Sequence, residues 1–221
     1  MTTSPPSFWP PLLLALDTST SVASVALFDG RSVLSETTWL AGREHSTRVL
    51  VEVQAALARV GRTPHDLTGL VVARGPGSFT GVRVALSVAK GIAAGLSVPL
   101  WGISSLDVLA HAAGKIDLPV RAVLGAGRGR YATGLYTHGQ CTGEARLATV
   151  EQLDDSIQVP TFIIGELPEP ARARLEQNPS ARLATPAACL RRGGFLAELG
   201  WLNAQSGDPG SPHIVDAVYV S

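Results

Sequence analysis

The sequence has few cysteines, few charges and no excess of either sign. Cys141 and Cys189 are the only cysteines in 221 residues and lie far apart, which excludes a disulfide framework and a zinc ribbon and favours a reducing compartment. Charged residues make up 16% and the formal net charge is zero, so the chain lacks the basic excess of a protein that binds nucleic acid alone. We therefore expect a globular cytoplasmic protein.

Signals for export or membrane insertion are also missing from the sequence. The first apolar run covers only Leu12 to Leu16, ends at Asp17 and follows no basic segment, which excludes a signal peptide. No stretch is expected to span a bilayer, so we expect no membrane partner. Residues 1–11 are predicted to form a flexible, proline-rich leader.

Apolar residues, in contrast, make up 45% of the chain and recur in alternating strand and helix patterns. The order is βββαβα followed by a shorter, strand-rich half, which predicts an α/β fold with two lobes. We expect an N-terminal lobe over residues 1–105 and a smaller C-terminal lobe over 106–221, whose end can return to the first lobe.

A glycine-rich loop in "RGPGSFTGVRVALSVAKGIAAGL" (74–96) follows the predicted strand Gly69–Ala73. It does not fit a P-loop, because no lysine follows Thr80, and it does not fit a dinucleotide fingerprint, because Gly81 comes one residue late. We predict a strand–turn–helix unit in which Gly75 and Gly77 allow a sharp turn. Ser78 or Thr80 caps the helix, and an anion at the helix N-terminus remains an alternative.

The first strand ends in a second polar turn, "DTST", formed by Asp17, Thr18, Ser19 and Thr20. This turn approximates the Asp-x-Gly-[ST] hairpin with which the actin/Hsp70/sugar-kinase superfamily binds phosphate. It is therefore a weak candidate for a phosphate turn. The favoured interpretation is a turn in which Asp17 accepts hydrogen bonds from its own backbone.

Several segments at matching distances carry a resemblance to a known family. With the Asp17 turn, "REHSTRVL", "GPGSFTGVR" and "VPLWGISSLDVLA" are similar to the TsaB (YeaZ) family. The resemblance implies an actin-like ATPase fold with a reduced second lobe, in a non-catalytic paralogue of TsaD. It implies a supporting subunit of the bacterial complex that forms N6-threonylcarbamoyladenosine at position 37 of tRNAs reading ANN codons.

The partners implied by the resemblance are a TsaD-type catalytic subunit and a TsaE-type ATPase, with a homodimer when the chain is alone. tRNA is contacted only through the complex, and no cofactor is expected for the isolated chain. Alternatives are an actin-like kinase or ATPase and a zinc glycoprotease-like hydrolase.

Both alternatives require residues that this sequence replaces. Aligning Pro99 with the corresponding proline of TsaD-type proteins places Ser105 and Leu109 where their two metal-binding histidines lie. Gly125 and Arg130 replace the acidic residues of the second phosphate loop. We therefore expect no metal site and no catalysis by the chain alone.

Two predicted helices, about Glu44–Val60 and Thr80–Leu96, are apolar over more of their circumference than one sheet face covers. On the second helix Val82, Leu86 and Ala93 are expected to face the chain's own sheet. The opposite edge of this helix and the first helix are expected to pack against the corresponding two helices of a TsaD-type subunit or of a second copy, which gives a four-helix interface. The Gly75–Thr80 loop sets the angle at which the second helix begins. The predicted interface residues are His45, Val49, Val53, Leu57, Val84, Val88, Gly91 and Gly95. Alternatively, the second lobe or the C-terminal segment covers this face.

Three arginines of the second half carry two open interpretations. Arg121, Arg128 and Arg130 either contact RNA phosphate or lie solvated at a strand edge.

Overall fold

A computed structural model describes residues 11–41 and 45–220, without the side chains of residues 45–47. It contains two β-sheets with helices on both faces of each. The first sheet consists of β1 (Leu13–Asp17), β2 (Val22–Phe28), β3 (Val33–Leu40), β4 (Gly69–Ala73) and β5 (Leu100–Ile103). The second consists of β6 (Val120–Gly125), β7 (Tyr131–Thr137), β8 (Gln140–Cys141), β9 (Arg146–Ala148), β10 (Thr161–Gly165) and β11 (Ala181–Leu183).

The helices connect and cover these strands. They are α1 (His45–Arg59), α2 (Phe79–Leu96), α3 (Ser105–Ala112), α4 (Val150–Asp155), α5 (Glu169–Glu176) and α6 (Gly193–Gln205), with a short 3₁₀ helix at Pro64–Asp66. The predicted α/β class is confirmed. Helix α6 begins at Gly193, because the residues before it form a loop with a role described below.

Both sheets have the same strand order and the same directions. In the first sheet the order is β3-β2-β1-β4-β5, with β1 antiparallel to β2 and parallel to β4. In the second sheet β6 takes the place of β1, because it is antiparallel to β7 and parallel to β10, which in turn pairs with β11. The topology is thus repeated, although the sequence shows no internal repeat.

Alternating side chains of each central strand supply two apolar layers. In β1 all five residues are buried, as expected for a strand covered on both faces. Leu14 and Leu16 pack with α1 and α2, whereas Leu13 and Ala15 pack with α6. In the second sheet α3 covers one face, and α4 and α5 cover the other.

Helix α2 departs from one expectation. Its 18 residues are by length and composition apolar enough to cross a membrane, with a mean hydropathy of 1.3, although no such stretch was expected. One such helix is weak evidence, because the core helices of globular proteins pass the same test. Here one face of α2 is buried against the first sheet through Gly81, Val82, Ala85, Leu86, Ala89 and Ala93.

The chain returns to the first lobe after α6 as an irregular closing segment, residues 206–220. Trp101 Nε1 donates to the carbonyl of Asp208 (3.0 Å), and the amide of Val218 donates to the carbonyl of Arg74 (2.8 Å). Val215 is buried in the core of the first lobe. The closing segment therefore lies beside β5 and the start of α2.

Candidate functional site

The turn that follows β1 is buried between the two lobes. Asp17, Thr18, Ser19 and Thr20 are between 0% and 6% exposed. Asp17 Oδ1 accepts hydrogen bonds from the amide and the hydroxyl of Ser19, at 2.7 and 2.6 Å. The expectation that Asp17 is hydrogen-bonded within its own turn is therefore confirmed.

The second carboxylate oxygen of Asp17 is bound by Arg191, whose side chain is fully buried. Arg191 Nε lies 2.9 Å from Asp17 Oδ2, Nη1 lies 2.5 Å from Glu166 Oε1, and Nη2 donates to Thr20 Oγ1 at 2.7 Å. The Thr20 hydroxyl in turn donates to Glu166 Oε1 at 2.6 Å. One guanidinium thus binds two carboxylates and a hydroxyl.

This network connects the two sheets. Asp17 ends β1, whereas Glu166 follows β10, where Gly165 has a φ of +143° and the Glu166 amide donates to the Val123 carbonyl at 3.0 Å. Burial lowers the pKa of Arg191, but the charges of Asp17 and Glu166 outweigh it and hold the pKa above its usual range. Arg191 therefore remains charged and offsets one of the two carboxylate charges.

The actin-like fold implies a magnesium nucleotide at this position, and the residues present do not fit one. Magnesium binds carboxylate and phosphate oxygens, but both oxygens of Asp17 are already used by Ser19 and Arg191. At the end of β6, which corresponds to the end of β1, Gly125 offers no carboxylate. Arg191 supplies the positive charge that a bound cation would otherwise supply.

Sequence reasoning missed Arg191 and Glu166. They lie 174 and 149 positions from Asp17, so no local spacing connects the three. The one usable signal is the pair of glycines that follows "RR". A Cβ at Gly193 would lie 2.9 Å from the Cβ of Ala26, and one at Gly194 would lie 2.8 Å from Val33 Cγ2. Two adjacent glycines indicate such a close approach to a sheet.

The glycine-rich loop after β4 packs directly against the Asp17 turn. The amide of Ser78 donates to the carbonyl of Ser19 (2.6 Å), and the Thr18 hydroxyl donates to the carbonyl of Gly81 (2.6 Å). A Cβ at Gly77 would collide with the Ser19 carbonyl, and a Cβ at Gly81 with the Thr18 carbonyl. These glycines are needed because two backbone segments touch.

The same loop starts α2 as predicted. Gly75 has a φ of +93°, which favours glycine. Ser78 is the N-cap and accepts from the Gly81 amide (3.3 Å), so the cap is Ser78 rather than Thr80. The Ser78 amide is already bonded to Ser19, which weakens the alternative of an anion at this terminus.

The two positions aligned with metal-binding histidines have structural roles. Ser105 is 0% exposed and its hydroxyl donates to Ser19 Oγ (3.0 Å), and Leu109 is buried in the core between α3 and the second sheet. Within residues 11–41 and 45–220, no group of three or more His, Cys, Asp or Glu side chains is placed to hold a metal ion.

Part of the predicted interface on α1 is wrong. Val49, Val53 and Leu57 are 0%, 4% and 2% exposed and pack in the core of the first lobe. They form the i, i+4, i+8 stripe of α1, and the chain's own sheet buries that stripe. The large apolar side chains that α1 exposes are Leu50 (48%) and Val51 (60%). The side chain of His45 lies outside the described part of the chain.

Helix α2 contacts α1 and divides as predicted. Val82, Leu86 and Ala93 are buried, Val84 and Val88 are half-buried, and Gly91 and Gly95 are exposed. A Cβ at either of these glycines would meet no atom within 4 Å. We call six positions of the two helices the α1–α2 face: the exposed Leu50, Val51, Gly91 and Gly95 and the half-buried Val84 and Val88.

The family model of TsaD, tRNA N6-adenosine threonylcarbamoyltransferase, matches residues 39–170, more than half of the chain. The chain belongs to this family, in its TsaB (YeaZ) branch.

Two curated relatives are named tRNA threonylcarbamoyladenosine biosynthesis protein TsaB. The Bacillus subtilis protein is 36% identical over 126 residues, which cover 57% of this chain and 55% of the relative. The Escherichia coli protein is 42% identical over 101 residues, 46% of this chain and 43% of the relative. The matched part of the chain thus spans about half the length of these curated relatives.

Solved structures agree over most of the chain. YeaZ from Pseudomonas aeruginosa superposes with a TM-score of 0.80 at 28% identity, covering 95% of this chain and all of that one. A ROK hexokinase from Thermus thermophilus has a TM-score of 0.52 at 13% identity, with 89% and 100% covered, which is a likeness of fold alone. The predicted actin-like, sugar-kinase-like fold is confirmed.

Proposed function

We propose that the chain is a supporting, non-catalytic subunit of the complex that forms N6-threonylcarbamoyladenosine on tRNA. The names of its TsaB relatives support the pathway. In this proposal the chain pairs with a TsaD-type catalytic subunit, recruits a TsaE-type ATPase, and forms a homodimer when alone. It contacts tRNA through the complex, needs no cofactor of its own, and works in the cytoplasm without a membrane partner.

The observation that carries the non-catalytic role is the ion pair between Arg191 and Asp17. Phosphoryl transfer by an actin-like enzyme needs a free carboxylate for magnesium, and here Arg191 and Ser19 use both oxygens of Asp17. The pair of Arg191 and Asp17 is buried, so a nucleotide would have to displace a charged side chain. This argument weakens the kinase or ATPase alternative. The zinc hydrolase alternative is weakened by Ser105 and Leu109.

The α1–α2 face supports pairing with another protein. Leu50 and Val51 expose about half of their surface, and Gly91 and Gly95 leave room for a facing helix at the 8–10 Å spacing of packed helices. Exposed apolar groups of this kind are typical of interaction sites. A specific interface would bury about 800 Å² on each partner.

A charged substitution in this face tests the pairing. We expect Val88→Asp to remain folded by circular dichroism but to lose both self-association in size-exclusion chromatography and pull-down of a TsaD-type subunit from the same organism. The matched control is Val159→Asp, because Val159 is 57% exposed and lies between α4 and β10 in the other lobe. If Val88→Asp associates as the parent chain does, the partner binds elsewhere.

Nucleotide turnover tests the non-catalytic role separately. We expect the pure chain to show no ATP hydrolysis in a single-turnover assay. Hydrolysis that disappears in Asp17→Ala would contradict the proposal, because it would place a working magnesium–phosphate site at the Asp17 turn.

A further inference from the structure

Two arginines among the described residues are buried, and their surroundings differ. Arg191 is bound by two carboxylates. Arg121 is only 8% exposed, yet its Nε is buried with no hydrogen-bond partner and no ion pair among the described residues. Buried charges in proteins are normally paired, because an unpaired ion loses its hydration without compensation. Arg121 therefore lacks a counter-ion that its position demands.

Arg121 does not lie at a solvated strand edge, which was one of its two interpretations. It belongs to β6, which has β10 on one side and β7 on the other. Arg121 is opposite Leu135 of β7, and Val123 is opposite Thr133, so Arg121 and Thr133 share one face of the sheet. Thr133 is also opposite Arg146 of β9, which places Arg146 on that face.

Two further side chains on this face of the sheet, Thr133 and Arg146, also lack a partner among the described residues. Thr133 is 1% exposed, and its hydroxyl oxygen has no hydrogen-bond partner in the part of the chain that is described. Arg146 is exposed, and no carboxylate of the described residues pairs with it. Burial lowers the pKa of Arg121, and the nearby charge of Arg146 lowers it further. Two like charges and a free hydroxyl thus meet on one face.

We propose that Arg121, Thr133 and Arg146 form a binding site for a phosphate group on the second lobe. Guanidinium groups bind phosphate oxygens through several N–H donors at once. The tetrahedral oxygens of one phosphate can accept from two arginines and a hydroxyl that approach from different strands. The phosphate belongs either to an RNA backbone or to a free phosphate or small phosphorylated molecule.

This site is spatially separate from the α1–α2 face on which the proposed pairing rests. It lies in the second lobe, whereas the α1–α2 face lies in the first, so a partner protein can occupy that face without covering the phosphate site. Failure of the pairing experiment would leave this proposal intact, and failure of this proposal would leave the pairing intact.

Binding of inorganic phosphate to the full chain is the first test, measured by isothermal titration calorimetry at constant ionic strength. We expect one site per chain and at least a tenfold weaker affinity in both Arg121→Met and Arg146→Met. The control is Arg128→Met, since Arg128 is exposed in the β6–β7 hairpin. Arg146 is also exposed, so its variant keeps the test valid if Arg121→Met does not fold.

Binding of tRNA to the full chain distinguishes the two sources. If RNA is the source, Arg121→Met and Arg146→Met bind tRNA several-fold more weakly than the parent and each reduces the salt slope by about one. If a small phosphate is the source, these variants lose phosphate binding and keep the parent affinity for tRNA. The proposal is overturned if both variants bind phosphate and tRNA as the parent does, or if Arg128→Met weakens binding equally.

Discussion

Arg191 Nε lies 2.9 Å from Asp17 Oδ2, although 174 positions separate the two residues in the sequence. The same guanidinium binds Glu166, so one side chain joins the ends of β1 and β10 from different sheets. These strand ends are held together by an internal ion pair.

Removing this guanidinium leaves two carboxylates without their counter-charge. We expect Arg191→Met to lower the free energy of unfolding by about 3–5 kcal/mol, the usual effect of breaking a buried ion pair. Urea denaturation would measure it. The matched control is Arg192→Met: Arg192 is half exposed and pairs with Glu36, so its loss should change stability by about 1 kcal/mol or less. Equal effects of the two substitutions would contradict a special role for Arg191.

Replacing glycine by alanine should change stability in opposite directions where the glycine touches the Asp17 turn and where it lies exposed on α2. Gly77→Ala and Gly81→Ala place a Cβ against the backbone of Ser19 and Thr18, and we expect each to destabilise the fold by about 1–3 kcal/mol. Gly91→Ala meets no atom and should stabilise α2 by about 0.5–1 kcal/mol. Thermal denaturation of the three variants checks the contrast, and a stable Gly77→Ala protein would refute the close approach.

The corrected orientation of α1 gives a second contrast. Leu57→Ala opens a cavity in the core of the first lobe and should lower the free energy of unfolding by about 2–5 kcal/mol. Leu50→Lys changes a half-exposed position and should leave stability within about 0.5 kcal/mol while weakening self-association. Urea titration and size-exclusion chromatography measure the two effects. If Leu57→Ala lost self-association without losing stability, the result would support the original prediction that Leu57 lies in the interface.

Tyr136 makes stability sensitive to alkaline pH. Burial, and then the charge and hydrogen bond of Asp107 (2.6 Å), raise the pKa of Tyr136 far above its usual value. Below pH ~10 both folded and unfolded states hold the proton, and above it only the folded state does. Unfolding then releases a proton, so Tyr136 makes stability fall by about 1.4 kcal/mol per pH unit as pH rises beyond ~10.

The matched variant for this effect is Tyr136→Phe, which keeps the ring and removes the proton. Its stability should decline less steeply than that of the parent between pH 10 and 11, as measured by urea denaturation at each pH. Parallel pH profiles would show that Tyr136 does not carry the effect.

The sequence predicted most of the fold because local patterns determine it. β4 has the predicted bounds, since its apolar run ends at turn residues, and Ser78 caps α2 as its position indicates. The orientation of α1 was not predictable from its pattern alone, because most of its residues are apolar or small and several stripes compete. Which stripe is buried depends on the sheet beneath it.

The site was less predictable than the fold. The hydrogen bond from Ser19 to Asp17 is local and was predicted, but Arg191 and Glu166 reach Asp17 only after two sheets have come together. Likewise, Arg121 is one of 16 arginines in the sequence, and only strand pairing shows that it lies inside a sheet.

The return of the chain to the first lobe has a consequence for synthesis. One face of the first sheet is covered by α6, and Val215 of the closing segment fills part of the other layer. About 90 residues separate β5 from α6, so at about 5–20 residues per second a ribosome needs about 5–18 s between them. During that time the apolar underside of a nascent five-stranded sheet is open to water and to chaperones. The lobe that emerges first is thus completed last.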